Sequence, residues 1–212
     1  MPFFDGFVGS EQPFLDTATI ETDDLPARWT RIIKLHGSSN WAVRDNQSVV
    51  RVPVHASKDR RLIHPSHLKY AESRRMPYLM MFDQLRDFIK FPSATLVSVG
   101  YSFGDGHIND LMAQGLRANT SAKIFGLQYG ELDTYDEAKK LATQNLGVTV
   151  IARNGGIDAG RQFSLESATD QKVSTFNWGD FSDFGNHLRR SVGNATDSAG
   201  LSADQVGDSD EK

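Results

Sequence analysis

Apolar residues fall in short runs separated by longer amphipathic stretches, and the spacing within each run predicts its secondary structure. The clearest run is Thr95–Gly100, with Pro92 before it and Gly100 at its end, which predicts a strand. Lys123–Leu127 and Val148–Ile151 predict two more. Arg31–Leu35 predicts another, running into His36, Gly37, Ser38 and Ser39. Between the first two strands, Met81, Leu85, Phe88 and Ile89 lie near one helical face, so residues 77–90 predict a helix with Pro77 in its first turn. Residues 108–117 and 135–146 predict two further helices, the latter closed by Gly147. Strands alternating with helices imply parallel βαβ units. The expected class is therefore α/β, a partial Rossmann-like parallel sheet with flanking helices and ligand chemistry at the carboxyl ends of its strands. Residues 1–30 read as loop, with Gly6, Gly9, Pro13 and Pro26 scattered among aromatics. The expected sheet thus lacks an N-terminal strand and Gly-rich loop, and the fold is expected to start in its middle.

Composition narrows the chemistry. The 212 residues contain no Cys, which excludes disulfides, thiol catalysis, iron–sulfur clusters and Cys-ligated zinc. A mean hydropathy of -0.42 and the lack of a long apolar run give no transmembrane span, and the N-terminus lacks the features of a signal peptide. A cytoplasmic location fits. The formal charge of -4 resides in the end of the chain. From Asp197 onward there are Asp197, Asp204, Asp208, Asp210 and Glu211 against Lys212 alone, so residues 1–196 are formally neutral. No nucleic-acid footprint is visible. Residues 191–212, rich in Ser, Gly, Ala and Asp, are expected to form a disordered acidic tail.

Two segments carry candidate chemistry. The first is Lys34–Trp41, where His36 is expected just beyond a strand, followed by Gly37. An imidazole there could exchange a proton with a substrate hydroxyl near neutrality, or simply hydrogen-bond the strand end. The second is Gly100–Asn109, directly after the best strand and before a helix. Gly100 permits a sharp turn, Ser102 offers a hydroxyl, and Asp105 could cap the helix, whose N-terminus favours an anion such as phosphate. Gly104 and Gly106 fit part of a dinucleotide fingerprint, but Asn109 stands at its third glycine, and a plain glycine-rich β–α turn reads equally well. His55, His64 and His67 lack the spacing of a metal site, and Ser38 and Ser39 lack a nucleophile elbow. Trp41, Trp178, Phe181 and Phe184 read first as core or docking aromatics.

Taken in order, these segments resemble the bacterial sirtuin-like NAD hydrolase family found in antiphage defence proteins. The resemblance runs through Asp5–Phe7, Lys34–Ser38 with Trp41, Ile63–Ser66 with Lys69 and Tyr70, and Pro77 with Tyr78. Its most specific piece is Val99–Phe103 followed by Asp105, His107, Ile108 and Asn109, with a weaker echo at Trp178–Phe184. The resemblance implies that residues 1–190 form the C-terminal portion of such a domain. It implies that His36 is the catalytic base while the nicotinamide–ribose bond breaks, and that NAD is the substrate. Gly100, Tyr101 and Ser102 match the turn that touches the cofactor's ribose and phosphates. Gln128 falls where sirtuins contact the adenosine half. Asp105, His107 and Asn109 match the defence-type motif, either touching ligand or ordering the turn. Lacking the four cysteines of zinc-bearing lysine deacylases, the chain is expected to bind no zinc and to handle NAD or ADP-ribose rather than acyl-lysine. The family's Gly-rich loop and its essential Asn are not found, so activity is expected to need a complementing N-terminal half or self-association. The alternatives are a non-catalytic module that binds a nucleotide, ADP-ribose or a protein, and an inactive truncated product.

Overall fold

The computed structural model describes residues 2–22, 25–44, 48–53, 60–62, 77–165 and 177–200. They fall into two compact units, residues 1–91 with 110–119 and residues 92–109 with 120–212, so the division passes through one helix.

The first unit contains β1 (Phe3–Phe4), β2 (Phe7–Val8), β3 (Phe14–Leu15), α1 (Thr17–Thr22), β4 (Thr30–Arg31), β5 (Gly37–Val43), β6 (Val49–Arg51), β7 (Arg60–Leu62) and α2 (Tyr78–Lys90). Among the described residues its main sheet has the order β2-β3-β6-β5-β7, antiparallel throughout, while β1 and β4 pair in parallel. The core gathers Phe7, Leu15, Ile20, Trp41, Val49, Met80 and Met81. Asp16 starts α1 by accepting hydrogen bonds from the Thr19 hydroxyl (2.6 Å) and backbone N–H (3.3 Å). Helix α2 begins one residue after Pro77 and ends where expected, and the Asn119 amide donates to the carbonyls of Ile89 and Phe91 at its C-terminal end.

The expected strand over residues 31–35 is not what forms. Only Thr30 and Arg31 are strand, Ile32 and Ile33 stay about two-fifths exposed, and the chain turns at Leu35 and His36. The Gly37 N–H donates to the Lys34 carbonyl at 3.0 Å, and Gly37 takes the positive φ (74°) that its lack of a Cβ permits. The longer strand, β5, starts after His36 because its apolar anchors, Trp41 and Ala42, lie there and are buried.

The second unit bears out the α/β expectation. It contains β8 (Thr95–Val99), the start of α3 (Gly106–Ala118), β9 (Lys123–Leu127), α4 (Asp136–Gln144), β10 (Val148–Ala152), β11 (Gly155–Asp158), β12 (Arg161–Ser164) and α5 (Phe181–Gly200). Strands β8, β9 and β10 run parallel, with Thr95 opposite Lys123 and Val148 opposite Ile124. The sheet continues as an antiparallel hairpin in the order β12-β11-β10-β9-β8. Its interior holds Ile124, Leu127, Val148 and Val150, covered by Ala138, Leu141 and Ala142 of α4. Helix α5 runs on to Gly200, past residue 191 where the acidic tail is expected to begin. The amphipathic stretch from Phe181 carries the helix past the point where large apolar residues stop. Residues 201–212 lie outside the described residues. Among those described, no helix is long and apolar enough to cross a membrane.

Candidate functional site

The Gly100–Asn109 segment connects β8 to α3 and is built from an inward and an outward set of residues. Gly100 turns the chain at φ 73° and is exposed, and a Cβ there would meet nothing within 4 Å. Phe103 takes φ 60°, a backbone region that costs a bulky side chain energy. Packing holds it there: Phe103 is completely buried, its ring lies 4.8 Å from that of Tyr101, and it covers Gly126 of β9. A Cβ on Gly126 would stand 2.8 Å from that ring, so the glycine makes room for the turn.

Polar groups finish the inward set. The buried Asn109 amide donates to the Phe103 carbonyl at 2.7 Å, which leaves its oxygen facing the Tyr101 hydroxyl at 3.1 Å. That hydroxyl also lies 3.2 Å from the Asp105 carbonyl, so one proton is shared between two acceptors. Burial pushes the Tyr101 phenol well above its ordinary pKa, and the Asp105 charge adds to the effect, so the phenol stays neutral. Gln128, buried at the carboxyl end of β9, donates to the Tyr101 carbonyl at 3.0 Å. The Asp105 carbonyl accepts from the N–H groups of Ile108 and Asn109 and so opens α3.

What remains outward is small. Gly100, Ser102, Gly104 and Gly106 are exposed, with open space at the Cβ positions of Gly100 and Gly106. The Ser102 hydroxyl lies against Gly104, where a Cβ would come within 3.3 Å. Such a surface lets a ligand approach the backbone ahead of a helix N-terminus. Asp105 and His107 are half-buried beside it.

The sequence-nominated residues therefore divide. Gly100, Tyr101, Ser102, Asp105, His107, Asn109 and Gln128 come together in the second unit. The side chains of Tyr101, Asn109 and Gln128 are engaged with the backbone of the turn or with each other. His36 belongs to the first unit, half-buried in the turn before β5, its ring edge-on to Phe82 at 5.9 Å. It precedes an antiparallel strand instead of ending a parallel one. Its neighbour Lys34 donates to the Ser38 hydroxyl at 3.3 Å. Among the described residues no group of three His, Asp or Glu could hold a metal, and His55, His64 and His67 lie outside them.

Sequence reasoning missed two supports. Gly126 had no visible role, since a glycine in a strand reads only as a weak point. The second support is Asn177, outside every motif, with Gly179, which lies in the Trp178–Phe184 echo but had no role there: Asn177 donates to the Tyr129 carbonyl at 3.0 Å, and Gly179 presses against the Gln128–Tyr129 peptide.

No curated protein matches the chain. A family model does, that of the SIR2-like domain, over residues 5–151. The match takes in the His36 turn and the whole β8–α3 connection and closes one residue short of the end of β10. By fold and by this match, the chain belongs to the SIR2-like domain family.

Proposed function

We propose that the chain is a sirtuin-like domain that binds NAD along the outward face of the β8–α3 turn and serves its cleavage to nicotinamide and ADP-ribose. The SIR2-like family uses NAD. The observation that carries the reading is the division of the turn: large and polar residues lock it from inside, and Gly100, Ser102, Gly104 and Gly106 face solvent. A pyrophosphate needs just such close backbone approach. Tyr101, Asn109 and Gln128 then act as positioning residues, and Ser102 is the hydroxyl within reach of a ribose or phosphate.

In the reaction, water adds to the anomeric carbon as the bond to nicotinamide breaks, nicotinamide leaves neutral, and one proton is released. His36 is the base that takes this proton. Its role rests on the family resemblance of Lys34–Ser38. The site handles NAD without zinc, and the setting proposed for it is cytoplasmic antiphage defence. A complementing N-terminal part, or association between copies, supplies whatever the single chain lacks for turnover.

Nicotinamide release from NAD, followed for the chain alone and mixed with a complementing half, tests the proposal. Release should fall about 100-fold or more in His36→Ala, the usual scale for losing a general base. ADP-ribose that binds without any release from the reconstituted pair would favour the alternative, a non-catalytic nucleotide-binding module. That alternative is motivated by the turn's being complete within the second unit.

A further inference from the structure

Residues 152–212 lie beyond the family match, yet one short segment of them is fastened to the strand end that carries Gln128. The Asn177 side chain donates to the Tyr129 carbonyl (3.0 Å) and accepts from the Gly179 N–H (3.0 Å). The Asn177 backbone N–H donates to the Asp183 carboxylate at 3.3 Å, and its carbonyl accepts from the Asp180 N–H at 2.9 Å. Gly179 sits so close that a Cβ would overlap the Gln128 carbonyl and the Tyr129 nitrogen. Between these two anchored residues stands Trp178, with part of its indole open to solvent. Trp178 is 41% exposed, with one side edge-on to the His187 imidazole at 5.3 Å. Tyr129, whose carbonyl accepts from the Asn177 side chain, is 62% exposed. Gln128, one residue before Tyr129, ties the same strand end to the Tyr101 carbonyl of the β8–α3 turn.

We propose that Trp178 is the stacking face for the purine base of the nucleotide held on the Gly100–Gly106 turn. The inference rests on the nucleotide reading above and adds a residue outside the family match. An indole set between the hydrogen-bonded Asn177 and the closely packed Gly179 offers a flat surface with less entropy to lose on binding than one on a free loop. A buried core would have covered it, and a mobile loop would not have fixed it. Burial of the junction's backbone and exposure of its ring together suit a planar aromatic ligand.

Calorimetric titration of the whole chain with AMP, ADP-ribose and ribose 5-phosphate tests this. Trp178→Ala should weaken AMP and ADP-ribose by about tenfold or more, within the range of base–aromatic stacking, and leave ribose 5-phosphate unchanged. Trp178→Phe should recover most of the affinity. AMP should quench part of the tryptophan emission of the wild-type chain, and that part should vanish in Trp178→Phe, a readout that stands even where the alanine variant folds poorly. Equal ADP-ribose affinity in wild type and in Trp178→Ala, or unchanged quenching in Trp178→Phe, overturns the stacking face and leaves the nucleotide reading standing. A wild-type chain that binds none of the three overturns the nucleotide reading and the stacking face with it.

Discussion

Asn109 gives the β8–α3 turn both a donor for the Phe103 carbonyl and an acceptor for the Tyr101 hydroxyl, a pairing that only an amide of this length supplies. Asn109→Leu would strand the Phe103 carbonyl beside a buried apolar side chain and leave the Tyr101 hydroxyl only the Asp105 carbonyl to donate to. The expected loss is about 2 kcal/mol of stability, read from urea unfolding, because an unpaired buried polar group forfeits its hydration. Asn109→Asp sets a carboxylate against the Phe103 carbonyl and should destabilise further at neutral pH. Part of the loss should return on acidification, since a protonated acid can donate again. Tyr101 carries the opposite alkaline signature. Its phenol pKa is raised in the fold by burial, so the folded state prefers the neutral form. Stability should therefore hold below the unfolded tyrosine value of about 10 and fall as the pH rises above it. Tyr101→Phe should flatten that alkaline decline. These roles were only half legible in the sequence. Nothing in the spacing of Gly100–Asn109 distinguishes a residue that touches ligand from one that holds the turn, because both readings want polar groups at a strand end. Phe103 at positive φ could not be foreseen, since the strain is compensated by Gly126, which is distant in sequence.

The elements divide between those that advertise themselves locally and those that depend on partners. Strands β8, β9 and β10 are short apolar runs, β8 and β10 bounded by Gly100 and Gly147, and helices α2, α3 and α4 carry an apolar stripe, so each is readable within two or three residues. The first unit offered no such signal. Several of its strands are two residues long and half-exposed, and their pairing is decided by contacts across the chain, as Phe14 opposite Val50 shows. Arg31–Leu35 has the composition of a strand, but its pairing with the two-residue β1 ends at the Ile32 N–H, which donates to the Phe4 carbonyl, and Ile32 and Ile33 stay about two-fifths exposed. The β11–β12 hairpin hid behind Gly155 and Gly156, which lower strand propensity while permitting close pairing with Phe163 and Ser164. Helix α5 shows how an element can hinge on one position. Asp180 caps it, accepting from the N–H groups of Ser182 (2.8 Å) and Asp183 (3.0 Å), while Gly179 brings it against the end of β9. Gly179→Ala would drive a methyl into backbone that no rotamer change can move. A loss of about 1–3 kcal/mol is expected, the ordinary cost of overpacking, seen as a melting point lower by several degrees. Asp180→Ala should cost about 1 kcal/mol by loss of the cap alone.

At the scale of the whole molecule, the two edges of the parallel-containing sheet differ in what they offer a further strand. Strand β12 (Arg161–Ser164) closes one edge with Arg161 and Gln162 exposed, the polar covering expected of an edge that must not pair further. Strand β8 closes the other among the described residues, and it has no charge, no proline and no bulge. Its sequence, Thr-Leu-Val-Ser-Val, is that of a strand covered on both faces, yet Val97 at its centre is 42% exposed. An uncharged, unbroken edge of this kind is a template for strand addition. It also bears the turn proposed to hold the nucleotide, so what pairs with it would bear on ligand binding as well. Light scattering of the whole chain should therefore show self-association that grows with concentration. Val97→Lys should suppress it, because a lysine on the edge resists a second strand while remaining solvated in the monomer. The same substitution should lower the melting point only modestly, since Val97 is already 42% exposed and the methylene stem of a lysine can cover part of the same surface. Scattering equal in the two proteins would place the contact elsewhere, and a monomer at all concentrations would show that the β8 edge is tolerated bare.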